Sequence, residues 1–415
     1  MRILMVNWLY PPEYSGAGLQ CHRLSQGLRS RGIQVDVLTG TDRQALVGPG
    51  RVDGMNVYRV LRDKSNPLRH LRFGGELTAY ILKNIDRYDL LHAHGFIVPA
   101  SLAARLTRRP LVQKITNLNI DDPEAVRRRR CSGIFLSMYQ AADVLIATSG
   151  RLESCCRLGL PRRMRILRIP NGVDTVLFRP ALDAEKSKLR AELEVRQGET
   201  VLMILGPICF KKGLDVLIRA LQMLDRSVLL WVIGPEKAHA RADDAGSYHR
   251  LIRKMVAELG LARQVRFFGF QPQVHHYLRA ADIYVHPSRG EGQPNSILEA
   301  MSCGLPTVAN LLPGITDEII QNGKFGYLVE GNEPQVLAAA LRILINNPEL
   351  RIRLGSSARA EILQKHAIAN IARRYCQLYR ELLGREREKV KSTDANEGAS
   401  RRHWRAESIS RRREP

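Results

Sequence analysis

Twice along this chain a short apolar run leads into a glycine-bearing loop and then into a segment whose apolar residues recur at helical spacing. This alternation constrains the fold most, because consecutive parallel strands need a crossover of about a dozen residues or more, usually a helix. The first series opens with Ile3–Trp8, a Pro/Gly/Ser loop over Tyr10–Gly18, and a helix over Ala17–Ser30 that puts Leu19, Leu24 and Leu28 on one side. Gly32 ends that helix and Val35–Thr39 is the next strand, with Asp89–His94, Leu111–Thr116 and Asp143–Thr148 as further strands. The second series starts at Thr200–Leu205 and continues through a helix over Gly213–Leu224, a strand at Val228–Ile233 and a helix over Tyr248–Leu259. Val265–Phe270, Ile283–His286 and Thr307–Ala309 extend it. The expected fold class is α/β, with two doubly wound halves.

At 415 residues the chain has room for two domains of about 100–200 residues each. A hydrophobic content of 44% fills two cores and excludes global disorder. The join falls in Ile169–Pro180, where Pro and Gly break the pattern. We therefore divide the chain into an N-terminal domain over 1–174, a C-terminal domain over 175–370, a helix over 371–384 that packs back on the first domain, and a disordered basic tail over 385–415. Seven cysteines form no C-x-x-C pair and no zinc-type cluster, which reads as reduced thiols. The N-terminal apolar stretch is too short for a leader, and no run reaches the roughly 18 apolar residues of a spanning helix. The expected location is cytoplasmic, or peripheral on the inner face of the membrane.

The segment Ser288–Pro306 (SRGEGQPNSILEAMSCGLP) concentrates the chemistry. A strand ends at His286, a loop flanked by glycines carries Glu291, and a helix starts near Pro294, a residue suited to the first helical position. Glu299 then lies one to two turns inside that helix, giving the spacing E-x7-E. Free N–H groups at a helix start beside two carboxylates suit a phosphate or a sugar that develops charge. Two solvated surface carboxylates would show the same spacing without the flanking Gly292 and Pro294. Leu205–Asp215 (LGPICFKKGLD) also lies between a buried strand and a helix, where anions gather, and it offers Lys211 and Lys212. In the first loop Gly16 and Gly18 form G-x-G, with Cys21 where a dinucleotide fingerprint has its third glycine. His92 and His94 end a strand, and Lys114 is an unusual residue for a buried one.

The Ser288–Pro306 segment closely resembles the E-x7-E signature of the family 4 retaining glycosyltransferases, whose GT-B fold sets two Rossmann-like domains face to face. The resemblance spans roughly residues 1–380 and implies that Glu291 approaches the donor sugar hydroxyls and Glu299 the nucleotide ribose. Leu205–Asp215 is similar to the family's Gly-Arg…Lys-Gly-x-Asp diphosphate motif, with Lys212 on the Lys, Pro207 at the Arg position, and Lys211 as a substitute cation. The loop Tyr10–Gly18 is similar to the family's glycine-rich loop. Many members carry a second His after the strand Leu111–Ile115, where this chain has Thr116–Asn117. Asn171–Asp174 matches the interdomain linker. Glu318 matches a recurrent acidic position, which a helix-start carboxylate explains equally well.

The resemblance implies transfer of a sugar from a nucleotide-diphosphate sugar to a hydroxyl, with retention. Glu291 and Lys212 are the expected catalytic residues. Gly16, Gly206, Lys211, Lys212, Glu291, Gly292, Gln293, Pro294, Asn295 and Glu299 form the donor side, with Gly18, His94 and Lys114 on the acceptor side. No cofactor and no metal ligand set is expected, Asp121–Asp122 being the nearest candidate. The formal charge of +23 is uneven, since residues 1–180 hold 28 Lys/Arg against 14 Asp/Glu. Arg127–Arg130 and Arg162, Arg163, Arg165 and Arg168 belong to that half. A charge confined to the acceptor domain and the tail suits an anionic membrane surface and a glycan or lipid-linked acceptor. Two rivals stay open. One is a degenerate, non-catalytic protein of the same fold. The other is a nucleic-acid-binding protein, against which stand basic runs without interleaved aromatics.

Overall fold

In the computed structural model, the described residues are 1–62, 67–128, 132–236 and 245–384; side chains are described from 71 in the second stretch and from 247 in the last. Part of the Arg127–Arg130 run and the whole basic tail therefore lie outside them. The N-terminal unit runs β1 (Arg2–Leu9), α1 (Gly16–Arg29), β2 (Gln34–Thr41), β3 (Gly48–Val52), β4 (Met55–Leu61), α2 (Pro67–Asn84), β5 (Leu90–His94) and α3 (Ile97–Thr107). It continues with β6 (Leu111–Lys114), α4 (Pro123–Arg127), α5 (Ser132–Tyr139), β7 (Val144–Ala147), α6 (Gly150–Gly159) and β8 (Ile166–Arg168). The second unit runs α7 (Asp183–Glu192), β9 (Thr200–Leu205), α8 (Leu214–Leu221), β10 (Val228–Ile233), α9 (Ala245–Glu258), β11 (Val265–Gly269), α10 (Val274–Ala280) and β12 (Ile283–His286). It closes with α11 (Asn295–Ser302), β13 (Thr307–Asn310), β14 (Gly326–Val329), α12 (Pro334–Ile345) and α13 (Pro348–Lys365), followed by a helix over 368–384, α14.

The first sheet has the order β3-β4-β2-β1-β5-β6-β7-β8 and the second β11-β10-β9-β12-β13-β14. All described pairings are parallel except the edge hairpin β3–β4. That hairpin turns through Asp53 at φ 47° and Gly54 at φ 75°, the Asp-Gly pair that a two-residue turn with two positive φ values requires. Central strands are buried on both faces, which is why Ile3–Val6 and Val201–Ile204 are unbroken apolar runs. Helices α2 to α6 supply one core of the first unit with Phe73, Leu77, Tyr139 and Leu152. On the other face α1 packs with α14, whose Ile371, Tyr375 and Tyr379 join Ile3, Met5 and Leu24.

Strand order reverses between β1 and β5 and again between β9 and β12. In doubly wound sheets ligands bind in the crevice beyond the carboxyl ends of the strands at such a switch, so each unit supplies one half of a site. The chain passes between the units twice, and the two passages are bonded together. Val173 N–H donates to His366 O and Ile368 N–H to Val173 O, both at 2.8 Å. Across the helix α14 contact, Tyr379 Oη and His92 Nδ1 are 2.7 Å apart in the buried core. Replacing Tyr379 by Phe strands that buried nitrogen and is expected to cost about 1–3 kcal/mol in urea unfolding; an unchanged unfolding midpoint would contradict the role given to this bond.

Candidate functional site

The turn after β9 and the loop after β12 leave neighbouring strands, and glycine lets them touch. Gly213 has φ 68°, and a Cβ there would sit 2.0 Å from the carbonyl oxygen of Pro287. The Lys211 carbonyl accepts from Arg289 N–H at 2.8 Å, and Ser288 Oγ lies 2.9 Å from it. Arg289 lies 4.0 Å over the Phe210 ring and grips Asp215 through two hydrogen bonds of 2.9 and 2.7 Å. The clasp points Lys212 inward, and its Nζ donates to Glu291 Oε1 at 2.6 Å.

Glu291 Oε1 is crowded with partners. Besides Lys212, Ser288 Oγ is 2.8 Å away and His286 Nε2 3.2 Å away. Burial opposes ionisation of this carboxyl, but the Lys212 charge, and then the His286 hydrogen bond, overcome it and hold Glu291 well below the usual carboxylate range. Burial likewise disfavours the charge on Lys212, and Glu291 more than restores it, so its pKa is raised. Nothing marks His286 or Ser288 as site residues in the sequence beyond their place at the end of β12.

Helix α11 begins against the other unit. Asn171 N–H donates to Gln293 Oε1 at 2.5 Å, Asn171 Nδ2 to Asn295 Oδ1 at 2.8 Å, and Asn295 Nδ2 to Gly16 O at 3.2 Å. Lys114 Nζ joins the chain by donating to Asn171 Oδ1 at 2.8 Å. One turn further along α11, Glu299 Oε1 accepts from Arg23 Nη2 of α1 at 2.7 Å. Arg23 is one of two arginines on an amphipathic helix, and the sequence does not set it apart from a surface arginine.

On the N-terminal side, His94 and Thr148 are buried, and neither His94 ring nitrogen nor Thr148 Oγ1 has a hydrogen-bond partner among the described residues. Burial pushes Lys114 down to about 8. Thr116 and Asn117, where the resemblance expects a histidine, are held by Asp121, which accepts from both backbone N–H groups and from Thr116 Oγ1. Burial raises Asp121 to about 6 despite those bonds. Its loop meets the other unit, since a Cβ on Gly292 would fall 2.5 Å from Thr116 O.

These groups enclose an interdomain cleft of about 530 Å³, lined by Gly16, His94, Lys114, Gly206, Lys212, Glu291, Gly292, Gln293, Pro294, Asn295 and Glu299 among the expected site residues. Gly18 and Lys211 do not line it. Gly18 serves packing, because a Cβ there would sit 2.2 Å from Leu9 O, and Lys211, whose carbonyl accepts from Arg289 N–H, adds its charge to those acting on Glu291. Arg23, Tyr14, Thr148 and Phe270 line the cleft without having been expected to. Glu318 lies outside it and reaches across to the start of α6, accepting from Gly150 N–H at 3.0 Å and pairing with Arg168 at 2.6 Å. Asp122, Glu124 and Cys155 have metal-compatible spacing, also away from the cleft. Both Asp122 oxygens already accept backbone N–H groups, at 2.5 and 2.9 Å.

The chain matches two family models, "Glycosyltransferase Family 4" over residues 14–177 and "Glycosyl transferases group 1" over residues 185–361. A D-inositol 3-phosphate glycosyltransferase of Catenulispora acidiphila is 30% identical, with 76% of this chain and 79% of that protein covered. An uncharacterised glycosyltransferase of Methanocaldococcus jannaschii is 27% identical over 93% of this chain and its own full length. Among solved structures, Anabaena HepE in complex with UDP and glucose superposes with a TM-score of 0.76 at 23% identity, covering 92% of this chain and 100% of that one.

Burial holds His92 and His94 well below the usual imidazole value, so the folded chain keeps both neutral where the unfolded chain takes up protons, below about pH 6.5. At these two sites the unfolded state then binds more protons, so their contribution to stability falls as pH drops through that window. Urea titrations at about pH 7.5 and pH 5 are expected to show the loss, and His92→Gln to reduce it. A pH-independent wild type would contradict the assignment.

Proposed function

The chain belongs to the family 4 glycosyltransferases and has their two-domain GT-B fold, and from that premise we propose that it moves a sugar from a nucleotide-diphosphate sugar to a hydroxyl acceptor with retention of configuration. The observation that carries this reading is the largely buried Lys212–Glu291 pair, beside the start of α11 and between the two switch points. Helix α11 has no side-chain cap and no acidic residue in its first turn, so its N–H groups remain available to an anion. Lys212 and those N–H groups would receive the charge that develops on the leaving diphosphate, the kind of preorganised stabilisation that dominates many enzymes.

Retention by double displacement needs a free carboxylate nucleophile. Glu291 is tied by Lys212 and His286 and Glu299 by Arg23. Front-face displacement fits these residues better. The anomeric carbon–oxygen bond to the phosphate breaks, the acceptor oxygen bonds on the same face, and its proton passes to the departing phosphate. Glu291 orients the sugar, while His94 and Lys114, across the cleft, stand on the acceptor side. With a panel of nucleotide sugars, Lys212→Ala is expected to lower kcat about 10²–10³-fold and Glu291→Ala to abolish transfer while nucleotide binding persists. Proton NMR of the product anomeric signal reads the stereochemistry. Unchanged turnover in Glu291→Ala would sink the assignment, and a wild type inert toward every donor would favour the non-catalytic reading.

Among the described residues no helix is long and apolar enough to cross a membrane, yet the N-terminal unit presents apolar side chains to water on neighbouring helices. Leu106 of α3 is 64% and Ile134 of α5 63% exposed, and Leu102, Phe135 and Leu71 of α2 are exposed elsewhere in the same helical layer. Arg72, Arg105, Arg108, Arg127 and Arg128 are exposed on these helices and the segments joining them. Apolar groups among arginines suit an anionic bilayer, supporting a peripheral enzyme of cell-surface polysaccharide or glycolipid synthesis. Co-sedimentation with phosphatidylglycerol vesicles is expected at low salt, weakened by salt and by Leu106→Asp with Ile134→Asp. Absence of binding at every salt concentration would overturn it.

A further inference from the structure

Arg23 is a charged group of the cleft to which the proposed reaction gives no contact with substrate. It stands on α1 in the N-terminal unit and bonds to Glu299 on α11 in the other, so the pair spans the cleft. The residue is 7% exposed and Glu299 3% exposed, and the guanidinium lies 5.0 Å over the ring of Phe178. Its Nη1 is buried without a hydrogen-bond partner among the described residues. A guanidinium keeps its charge and its five donors, so an unmet buried N–H is costly until something accepts from it. Arg23 engages only Oε1 of Glu299, and no described residue donates to Oε2.

An unmet donor beside an unfilled carboxylate acceptor, on two residues that both line the cleft, selects its ligand chemically. A phosphate or carboxylate is repelled by Glu299, and an apolar group leaves both requirements standing. Two adjacent hydroxyls meet both, one donating to Oε2 while the oxygen of the other accepts from Nη1, which is closed off and reaches the cleft only when the guanidinium turns. We propose that Arg23 is a positioning and specificity-determining residue that reads the ribose diol of the donor together with Glu299. This rests on the donor reading above and goes beyond it, because the motif carries only Glu299, whereas Arg23 comes from the opposite unit. The ribose is then held by both units at once, and donor binding is coupled to their alignment. Lysine cannot take the place of this arginine, since one ammonium lacks the planar fork that serves a carboxylate and a hydroxyl together.

The test is a ligand–mutant cycle. Binding of UDP, ADP and GDP to the full chain is measured by calorimetry, and the tightest is compared with its 2′,3′-dideoxy analogue. The expected diol penalty is about 30-fold in the wild type and no more than about 3-fold in Arg23→Lys, Arg23→Gln and Glu299→Gln, an interaction that purely structural damage would not produce. Far-UV circular dichroism selects the variants that fold, and the lysine and Glu299→Gln variants keep the cycle closed if the glutamine variant does not. An equal diol penalty in wild type and variants, or tighter UDP binding in Arg23→Gln, overturns the proposal and leaves the donor reading intact. If no nucleoside diphosphate binds the wild type, the donor reading fails and this one with it.

Discussion

Lys212 and Glu291, 2.6 Å apart and almost closed off from water, form a charge pair that neither partner would sustain alone, and the geometry of the cleft follows from it. Withdrawing each ion from water costs several kcal/mol, recovered only when the partner and the surrounding hydrogen bonds are already in place. Here the backbone supplies that placement. β9 and β12 are neighbours in the sheet, so the turn after one and the loop after the other emerge side by side. Gly213 then allows them to close to a separation that any Cβ would prevent.

The polar residues around this pair divide by what they touch. Asn171, Gln293, Asn295 and Lys114 spend their side chains on one another and on Gly16, and so fix the start of α11 against the N-terminal unit. His286 and Ser288 hold the carboxylate of Glu291. What remains unpartnered at the cleft among the described residues includes both ring nitrogens of His94, Thr148 Oγ1 and Arg23 Nη1, and the bonds to Glu291 and Glu299 leave the second oxygen of each carboxylate to a ligand. The motif positions are therefore as much joinery between two units as they are ligand contacts. Moving α11 relative to α1 would shift both glutamates together.

The alternation of apolar runs and helical segments located the central strands because parallel strands buried on both faces must be apolar throughout. It did not reveal β3 and β4. β3 is the edge strand and β4 its inner neighbour, and both carry polar residues among the apolar ones, although Asp53-Gly54 is a hairpin signal present in the chain. Helix α14 was legible as a helix, and its start at 368 rather than 371 reflects the bonded crossing at Val173, a contact 195 residues away that no local pattern encodes. The site divides in the same way. Glu291, Glu299 and Lys212 sit in one or two short segments whose glycines and proline betray them. Arg23 acquires meaning only when α1 is laid against α11, and His286 only when the loop after β12 folds back over its own strand.

The surplus of basic residues that dominates the composition is scarce where the diphosphate would enter. Lys212 is paired with Glu291 and Arg23 with Glu299, while burial pushes Lys114 down to about 8. Pro207 stands where the resemblance expects a second phosphate cation, and it does not line the cleft. On the proposed reading an incoming diphosphate would meet cations already neutralised in pairs, and would compete with Glu291 for Lys212 at the uncapped start of α11. Such a cleft attracts anions weakly at long range and discriminates at contact, where a ligand must satisfy each carboxylate as it borrows that carboxylate's cation. The proposed nucleotide sugar would bring both kinds of group, hydroxyls for Glu291 and Glu299 and phosphates for Lys212. A bare phosphate brings one, and leaves two buried carboxylates weakly compensated.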